Sequence, residues 1–258
     1  MAIPDRAFAI IGRPLIRFDR VASTMDVAAR LAALGSPEGT IVEADLQTAG
    51  RGRGGRRWDA PAGSALMGSI ILRPGVPAAR LVSMSLLAGL AVANVAEAIT
   101  SQPATIKWPN DVLIDGRKVA GILLHSRTMG DSPNACLILG IGINVRVTLA
   151  TRAINATSLD EAAGDRVCIE DVRHRLMVEL GAVYRAFTGG DLTPAWAELN
   201  DRLAYRDREV TIVDGERALR GMVTGLGESG ELLLRRPDGV IQSIVSGELV
   251  RGPRPVAS

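Results

Sequence analysis

The sequence predicts an α+β fold: a mixed β-sheet flanked by helices, followed by a smaller β-rich C-terminal unit. Strand-length apolar runs and helical stretches are interspersed over the first two hundred residues. Val112-Leu-Ile114 and the run from Val119 to Leu124 flank Asp115-Gly116, a pattern that calls for an antiparallel hairpin. From Arg208 onward short β-rich runs alternate with turns at Asp214-Gly215, Ser229-Gly230 and Asp238-Gly239, the spacing of a small barrel.

The elements follow in order. Residues 15–21 read as a strand. Ser23-Thr24-Met25-Asp26 opens a helix with a hydroxyl N-cap, an acid three residues later and apolar Val27, Leu31 and Leu34 at helical spacing, closed by Gly35. Residues 40–46 form a second strand, 47–63 a glycine- and arginine-rich loop, 64–72 a third strand and 77–100 one long helix. Strand resumes over 135–147, and 170–187 and 192–204 are helical. This places a main domain at 1–204, the β-rich domain at 205–252 and a disordered tail at 253–258, with no internal repeats.

With 258 residues, 47% hydrophobic and 22% charged, the chain has the composition of a soluble protein with a substantial core. A net charge of +2 is too mild to imply a nucleic-acid partner. Cys136 and Cys168 form no CxxC pair, which argues against a disulfide framework or zinc site and suits a reducing cytoplasm. Residues 1–6 lack the pattern of a signal peptide, and the uncharged stretch 81–96 reads as a core helix rather than a membrane span.

Cation usage is lopsided. Of 30 basic residues only two are lysines, Lys107 and Lys118, both within one twelve-residue segment. An ammonium is a compact point charge that arginine's planar fork does not replace in a tight site, so both lysines become candidate site residues.

Three segments carry chemistry. The loop Gly50-Arg-Gly-Arg-Gly-Gly-Arg-Arg-Trp58 combines a backbone free to approach a ligand with four arginines that would hold an anion. Gly50-x-Gly52-x-x-Gly55 matches the dinucleotide fingerprint only in letters, since no helix starts inside it and the next acid after Asp59 is Glu97. A flexible basic surface loop and a nucleic-acid-binding loop are the alternative readings of this segment. Lys107-Trp108-Pro109-Asn110-Asp111 is a turn between strands that presents polar groups, and the hairpin brings its aspartate towards Lys118. Gly140-Ile-Gly-Ile-Asn144 is an apolar strand with glycines where a ligand could approach.

Together with Ser23-Thr24, Gln47 and Arg117-Lys118-x-Ala-Gly121, these segments resemble the catalytic domain of bacterial biotin–protein ligases. The resemblance implies the class II aminoacyl-tRNA synthetase/biotin ligase-like fold over 1–204 and a Src-homology-3-like barrel over 205–252. It implies an AMP-forming ligase that makes biotinyl-5'-AMP from biotin and MgATP, then biotinylates a lysine of a biotin carboxyl carrier protein. Fewer residues precede Ser23 than a helix-turn-helix domain needs, so the likeness is to the monofunctional type, without a DNA partner. Monomer and homodimer both remain open.

By the same resemblance Lys118, Arg53 and Asp111 are the catalytic group. Ser23, Thr24, Met25, Gln47, Arg51, Gly52, Arg53 and Lys118 bind biotin. Arg51, Arg53, Arg56, Trp58, Lys107, Asn110, Asp111 and Asn144 contact ATP or the adenylate, and Mg²⁺ arrives on the ATP phosphates rather than at a protein metal site. The chain departs from the family at Met25, where asparagine is usual, and at Gly54, where arginine is common. A lipoate- or octanoate-protein ligase is the related alternative, but that group favours a His-Asp pair and neither His125 nor His174 precedes an aspartate. A non-catalytic biotin- or nucleic-acid-binding module is the alternative of another class.

Overall fold

The computed structural model describes residues 11–128, 135–147 and 155–250, and is built on two sheets. The larger runs, in spatial order, β1 (Leu15–Val21), β2 (Ile41–Gln47), β3 (Ala65–Leu72), β7 (Ala135–Asn144), β6 (Arg117–Thr128), β5 (Asp111–Ile114) and β4 (Ala104–Lys107). Only β1 and β2 pair in parallel; the other neighbours are antiparallel, so the sheet is mixed as predicted.

Helices cover both faces. Val42, Ile71 and Ile138 pack under α1 (Thr24–Ala33), while their strand neighbours Ile41, Ile70, Leu72, Leu137 and Leu139 belong to the main core. That core holds α3 (Ser83–Thr100) and α5 (Ile169–Gly189). A strand buried on both sides has no polar face, which is why Ala65–Leu72 reads ALMGSIIL, apolar but for Ser69 and without alternation.

Two helical predictions change in detail. The buried stripe of α1 is Met25, Ala28, Ala29 and Ala32, whereas Leu34 is 83% exposed and Val27 and Leu31 only flank the core. Small alanines let the helix lie close to the sheet, which outweighs the larger residues at the predicted positions. The single helix predicted over 77–100 is split into α2 (Ala78–Leu81) and α3 at Val82, which keeps helical angles (φ −61°, ψ −36°). α3 is long and apolar enough to cross a membrane, but 72% of it is buried inside the protein, where it packs on α5, β4, β5 and β6. The short α4 (Leu159–Ala163) was not anticipated; Ser158 caps it by accepting from Glu161 N–H. α6 (Thr193–Asp201) closes the helical part.

The C-terminal sheet is antiparallel, in the order β11 (Ile241–Ile244), β10 (Leu232–Arg235), β9 (Arg217–Leu226), β8 (Glu209–Asp214), β12 (Glu248–Val250). Its predicted turns are present, with Gly215, Gly230 and Gly239 all at positive φ. The buried Trp108 joins the two sheets by donating its indole N–H to the Gly230 carbonyl at 3.1 Å. The proposed tail at 253–258 and residues 1–6 lie outside the described residues.

Candidate active site

The β5–β6 hairpin sets the geometry. Asp115 and Gly116 have φ of 49° and 70°, the mirror-image turn that suits a twisted two-residue hairpin. The turn places Lys118 opposite Leu113, which shares a strand face with Asp111 two residues away. The register then slips, so that Val112 pairs with Ala120 and Asp111 with Gly121, leaving Val119 as the extra residue of a bulge. In a regular strand Lys118 and Gly121 would face opposite sides; the bulge returns them to one. Lys118 Nζ donates to Asp111 Oδ1 at 2.5 Å, and a Cβ on Gly121 would stand 3.1 Å from that Nζ. The lysine's backbone is fixed on its other side, its N–H donating to Asn155 O (3.0 Å) and its carbonyl accepting from Thr157 N–H (2.9 Å).

Gly121 lies directly across from Gly142 of β7, and the pair forms a floor without side chains. The Trp58 indole rests on it: a Cβ on Gly142 would be 2.5 Å from Trp58 Cε2, and one on Gly121 3.1 Å from Cζ3. Lys118 Nζ lies 5.6 Å from a Trp58 ring centroid, within cation–π range, and the indole N–H is buried without a partner.

A second polar cluster gathers where α1 begins. Gln47 Oε1 accepts from Thr24 N–H (2.8 Å) and Thr24 Oγ1 (3.1 Å), and Thr24 Oγ1 shares a 2.8 Å hydrogen bond with Ser69 Oγ. With its oxygen so engaged, Gln47 presents its amide N–H groups to a ligand. Ser23 occupies the N-cap position but its hydroxyl makes no capping bond; it is buried and unpartnered. A buried donor without an acceptor costs roughly 1–3 kcal/mol, a cost a bound ligand would relieve. Met25 packs over Gly140, where a Cβ would be 3.0 Å from its Sδ. Asn110 and Asn144 each spend an amide N–H on the main chain, on Ile122 O (2.7 Å) and Thr157 O (3.0 Å).

Above lies the 50–58 loop, narrowed by an Arg51–Arg57 bridge and a short turn at Arg53–Gly55. Each arginine is tethered: Arg51 to Asp26 (2.8 Å), Arg53 to Gly247 O (2.5 Å), Arg56 to Glu248 (2.6 Å) and Arg57 to Thr48 O (2.5 Å).

All of this surrounds one cavity of about 520 Å³. Its lining contains Ser23, Thr24, Met25, Gln47, Arg51, Gly52, Arg53, Arg56, Trp58, Asn110, Asp111, Lys118 and Asn144, thirteen of the fourteen residues predicted to form the site. Lys107 is the exception. It ends β4, the edge strand two places from β6, and does not line this cavity. Sequence reading missed Ser69 and Asp26; a lone serine in an otherwise apolar strand was the available signal for the first. A wider cleft of about 870 Å³ adjoins on the outer side, sharing Arg51, Arg53, Arg56 and Asn110 and running to Val82, Trp108, Gly230 and Val245.

A lysine–carboxylate pair, a clustered amide and hydroxyls, and an arginine lid around one cavity suit activation of a carboxylic acid by a phosphoanhydride. Comparison with known proteins agrees: the biotin/lipoate A/B protein ligase family matches at residues 17–144, and the biotin protein ligase C-terminal domain at 207–252. The chain belongs to the biotin protein ligase family. The bifunctional ligase/repressor BirA of Bacillus subtilis (strain 168) is 34% identical over 253 residues, 94% of this chain and 75% of that protein. A biotin–[acetyl-CoA-carboxylase] ligase of Mycobacterium tuberculosis is 35% identical over 225 residues, 81% of this chain and 78% of its own. Among solved structures, a biotin protein ligase from Aquifex aeolicus in complex with biotin and ATP superposes with a TM-score of 0.79 at 32% identity, covering 92% of this chain and 98% of that one.

Proposed function

We propose that this enzyme joins biotin to ATP as biotinyl-5'-AMP, releasing pyrophosphate, and then transfers biotin to a lysine of a biotin carboxyl carrier protein. The observation that carries the reading is the single cavity in which the Thr24–Gln47–Ser69 cluster and the Lys118–Asp111 pair face a common space beneath the arginine loop. The first cluster offers Gln47 N–H and Ser23 O–H to the ureido group of biotin, with Gly52 backbone closing over it, and Met25 against the apolar ring. Lys118 exchanges Asp111 for the biotin carboxylate.

A carboxylate and a phosphate at ~4 Å repel by about 4 kcal/mol at an effective dielectric near 20. Arg51, Arg53 and Arg56 offset this and bear the charge that develops as a carboxylate oxygen bonds to the α-phosphorus and pyrophosphate leaves. Trp58 and Asn110 face the adenine side, with Asn144 beside them. Mg²⁺ needs few protein carboxylates when phosphates supply the other ligands, and Asp111 and Asp59 on the cavity wall fit that requirement. The metal lowers the charge on the phosphates when bound. In the second step the neutral carrier amine attacks the acyl carbonyl, the acyl–oxygen bond to AMP breaks and AMP departs; Asp111, freed from Lys118, accepts the proton that the amine loses. Cys136 and Cys168 are in no disulfide, which suits work in the reducing cytoplasm.

Biotin-dependent ATP–pyrophosphate exchange tests this reading. It should appear with biotin and be absent with lipoate or octanoate. Exchange supported by lipoate instead, or no exchange at all, overturns it.

A further inference from the structure

One turn of the C-terminal sheet holds the tip of the arginine loop. Arg53 Nη1 donates to the Gly247 carbonyl at 2.5 Å, and Arg56 Nη1 lies 2.6 Å from Glu248 Oε1. The loop has little else to fix its tip. Gly54 and Gly55 take φ of 64° and 76°, and none of Arg53, Gly54 and Gly55 is buried. The Arg51–Asp26 and Arg57–Thr48 contacts secure its base, so the tip depends on residues almost two hundred positions away. The turn is itself well seated: Gly247 has φ 130°, and a Cβ there would stand 2.6 Å from Ile212 Cγ2, so its carbonyl is aimed by a conformation and a close approach that admit only glycine.

We propose that Glu248 is a positioning residue, and that the Gly247–Glu248 turn is a strap that keeps the arginine loop closed over the activated acyl group. This rests on the adenylate-forming reading above. A guanidinium carries five N–H donors in a fixed fork, and the strap occupies only Nη1 of each arginine, so strap and phosphate can be bound together. The strap therefore sets how long the mixed anhydride is retained, not how fast it is made. Because Arg56 and Glu248 are about half exposed, the pair is a weak one, and its loss should change retention by roughly two- to fivefold rather than by orders of magnitude.

The test uses the full chain carrying Glu248→Gln, with biotin and MgATP and no carrier. Two quantities are measured: the rate of ATP–pyrophosphate exchange, and the rate at which biotinyl adenylate appears free in solution. Exchange should stay within about twofold of the parent while release rises roughly two- to fivefold. The difference should close near 1 M salt, where the screening length falls to about 3 Å. Glu248→Asp keeps the charge with a shorter arm and should fall between the two. Glu209→Gln, which removes a comparable pair with Arg220 on the same sheet, should leave release unchanged. Unchanged release in Glu248→Gln overturns the strap, and so does a parallel fall in exchange and release, which marks a general structural loss. A parent that makes no adenylate overturns the ligase reading itself, a failure visible in the exchange arm alone.

Discussion

Lys118 and Asp111 meet across the hairpin at 2.5 Å, and the bulge at Val119 brings Gly121 to their side of the sheet. The lysine is therefore hemmed in by a carboxylate, a glycine floor and the Trp58 ring. A guanidinium is wider and planar, so Lys118→Arg keeps the charge and loses the fit. Biotin-dependent exchange should fall about 10²–10³-fold, the cost of losing one preorganised group at a developing charge. Thermal unfolding should barely move, since a partly exposed ion pair contributes ~1 kcal/mol or less. Activity within a few fold of the parent would remove Lys118 from contact with the reacting groups.

Much of this was legible in the sequence because local chemistry dictates it. Asp115-Gly116 fixes one turn type, and that turn brings Lys118 and Asp111 to one face. Other features had no local signal. Val119 is an ordinary strand residue, and nothing in its neighbourhood announces that it bulges. Leu34 continues the helical spacing of Val27 and Leu31 yet is exposed, because the helix is seated by alanines against Val42, Ile71 and Ile138. Lys107 looked equivalent to Lys118 in one segment, but strand order, which is non-local, puts it at the edge. The Glu248–Arg56 contact joins residues 192 apart and is invisible to any motif.

Arg53 reaches from the loop to the C-terminal sheet, and Arg53→Gly deletes that tether together with the cation that the proposed mechanism sets against the phosphate. Biotinyl adenylate is a mixed anhydride that acylates free amines once outside the site. The variant should label lysines of an added bystander protein when given biotin and MgATP. Labelling of the enzyme should stay low and be confined to Lys107, Lys118 and the N-terminal amine, because the chain has no other lysine. Mass spectrometry of the mixture decides: an unlabelled bystander, with adenylate shown to form, would falsify the retention role of Arg53.

Glu43 is outside the cavity lining, and its burial should lower stability at neutral pH. Burial pushes its carboxyl above the ordinary value near 4.5, against the opposing pull of Arg173 at 3.2 Å and of Arg17. An ion pair alone would lower it; burial prevails, in keeping with Oε1 having no donor. A folded state that binds the proton more tightly than the unfolded chain is favoured below the ordinary value and loses that advantage as pH rises through the folded one. Glu43→Gln, which still accepts from Arg173, should therefore raise the unfolding midpoint at pH 8 and have little effect near pH 4. Denaturant titrations at pH 4, 6 and 8 would show it, and a destabilisation that grows with pH would contradict it.

Gly142 and Gly140 sit two apart on the same face of β7, and alanine should be tolerated at one and not the other. At Gly140 the new methyl meets Met25 Sδ at 3.0 Å, the far end of a flexible thioether that can swing aside. At Gly142 it meets Trp58 Cε2, Cζ2 and Cδ2 at 2.5, 2.7 and 2.9 Å, three atoms of one rigid plane, so the whole indole must lift off its floor. Overpacking of this kind costs about 1–3 kcal/mol, and here it falls on a side chain that faces Lys118 and lines the cavity. Gly142→Ala should lower biotin-dependent exchange by roughly tenfold or more and shift the tryptophan emission, whereas Gly140→Ala should stay within about fivefold with unchanged emission. Of the three tryptophans Trp58 is the one the new methyl meets, while Trp108 and Trp196 both pack by Gly230, so the change in emission is assigned to Trp58. Equal losses in the two variants would mean that the Trp58 floor does not shape the site.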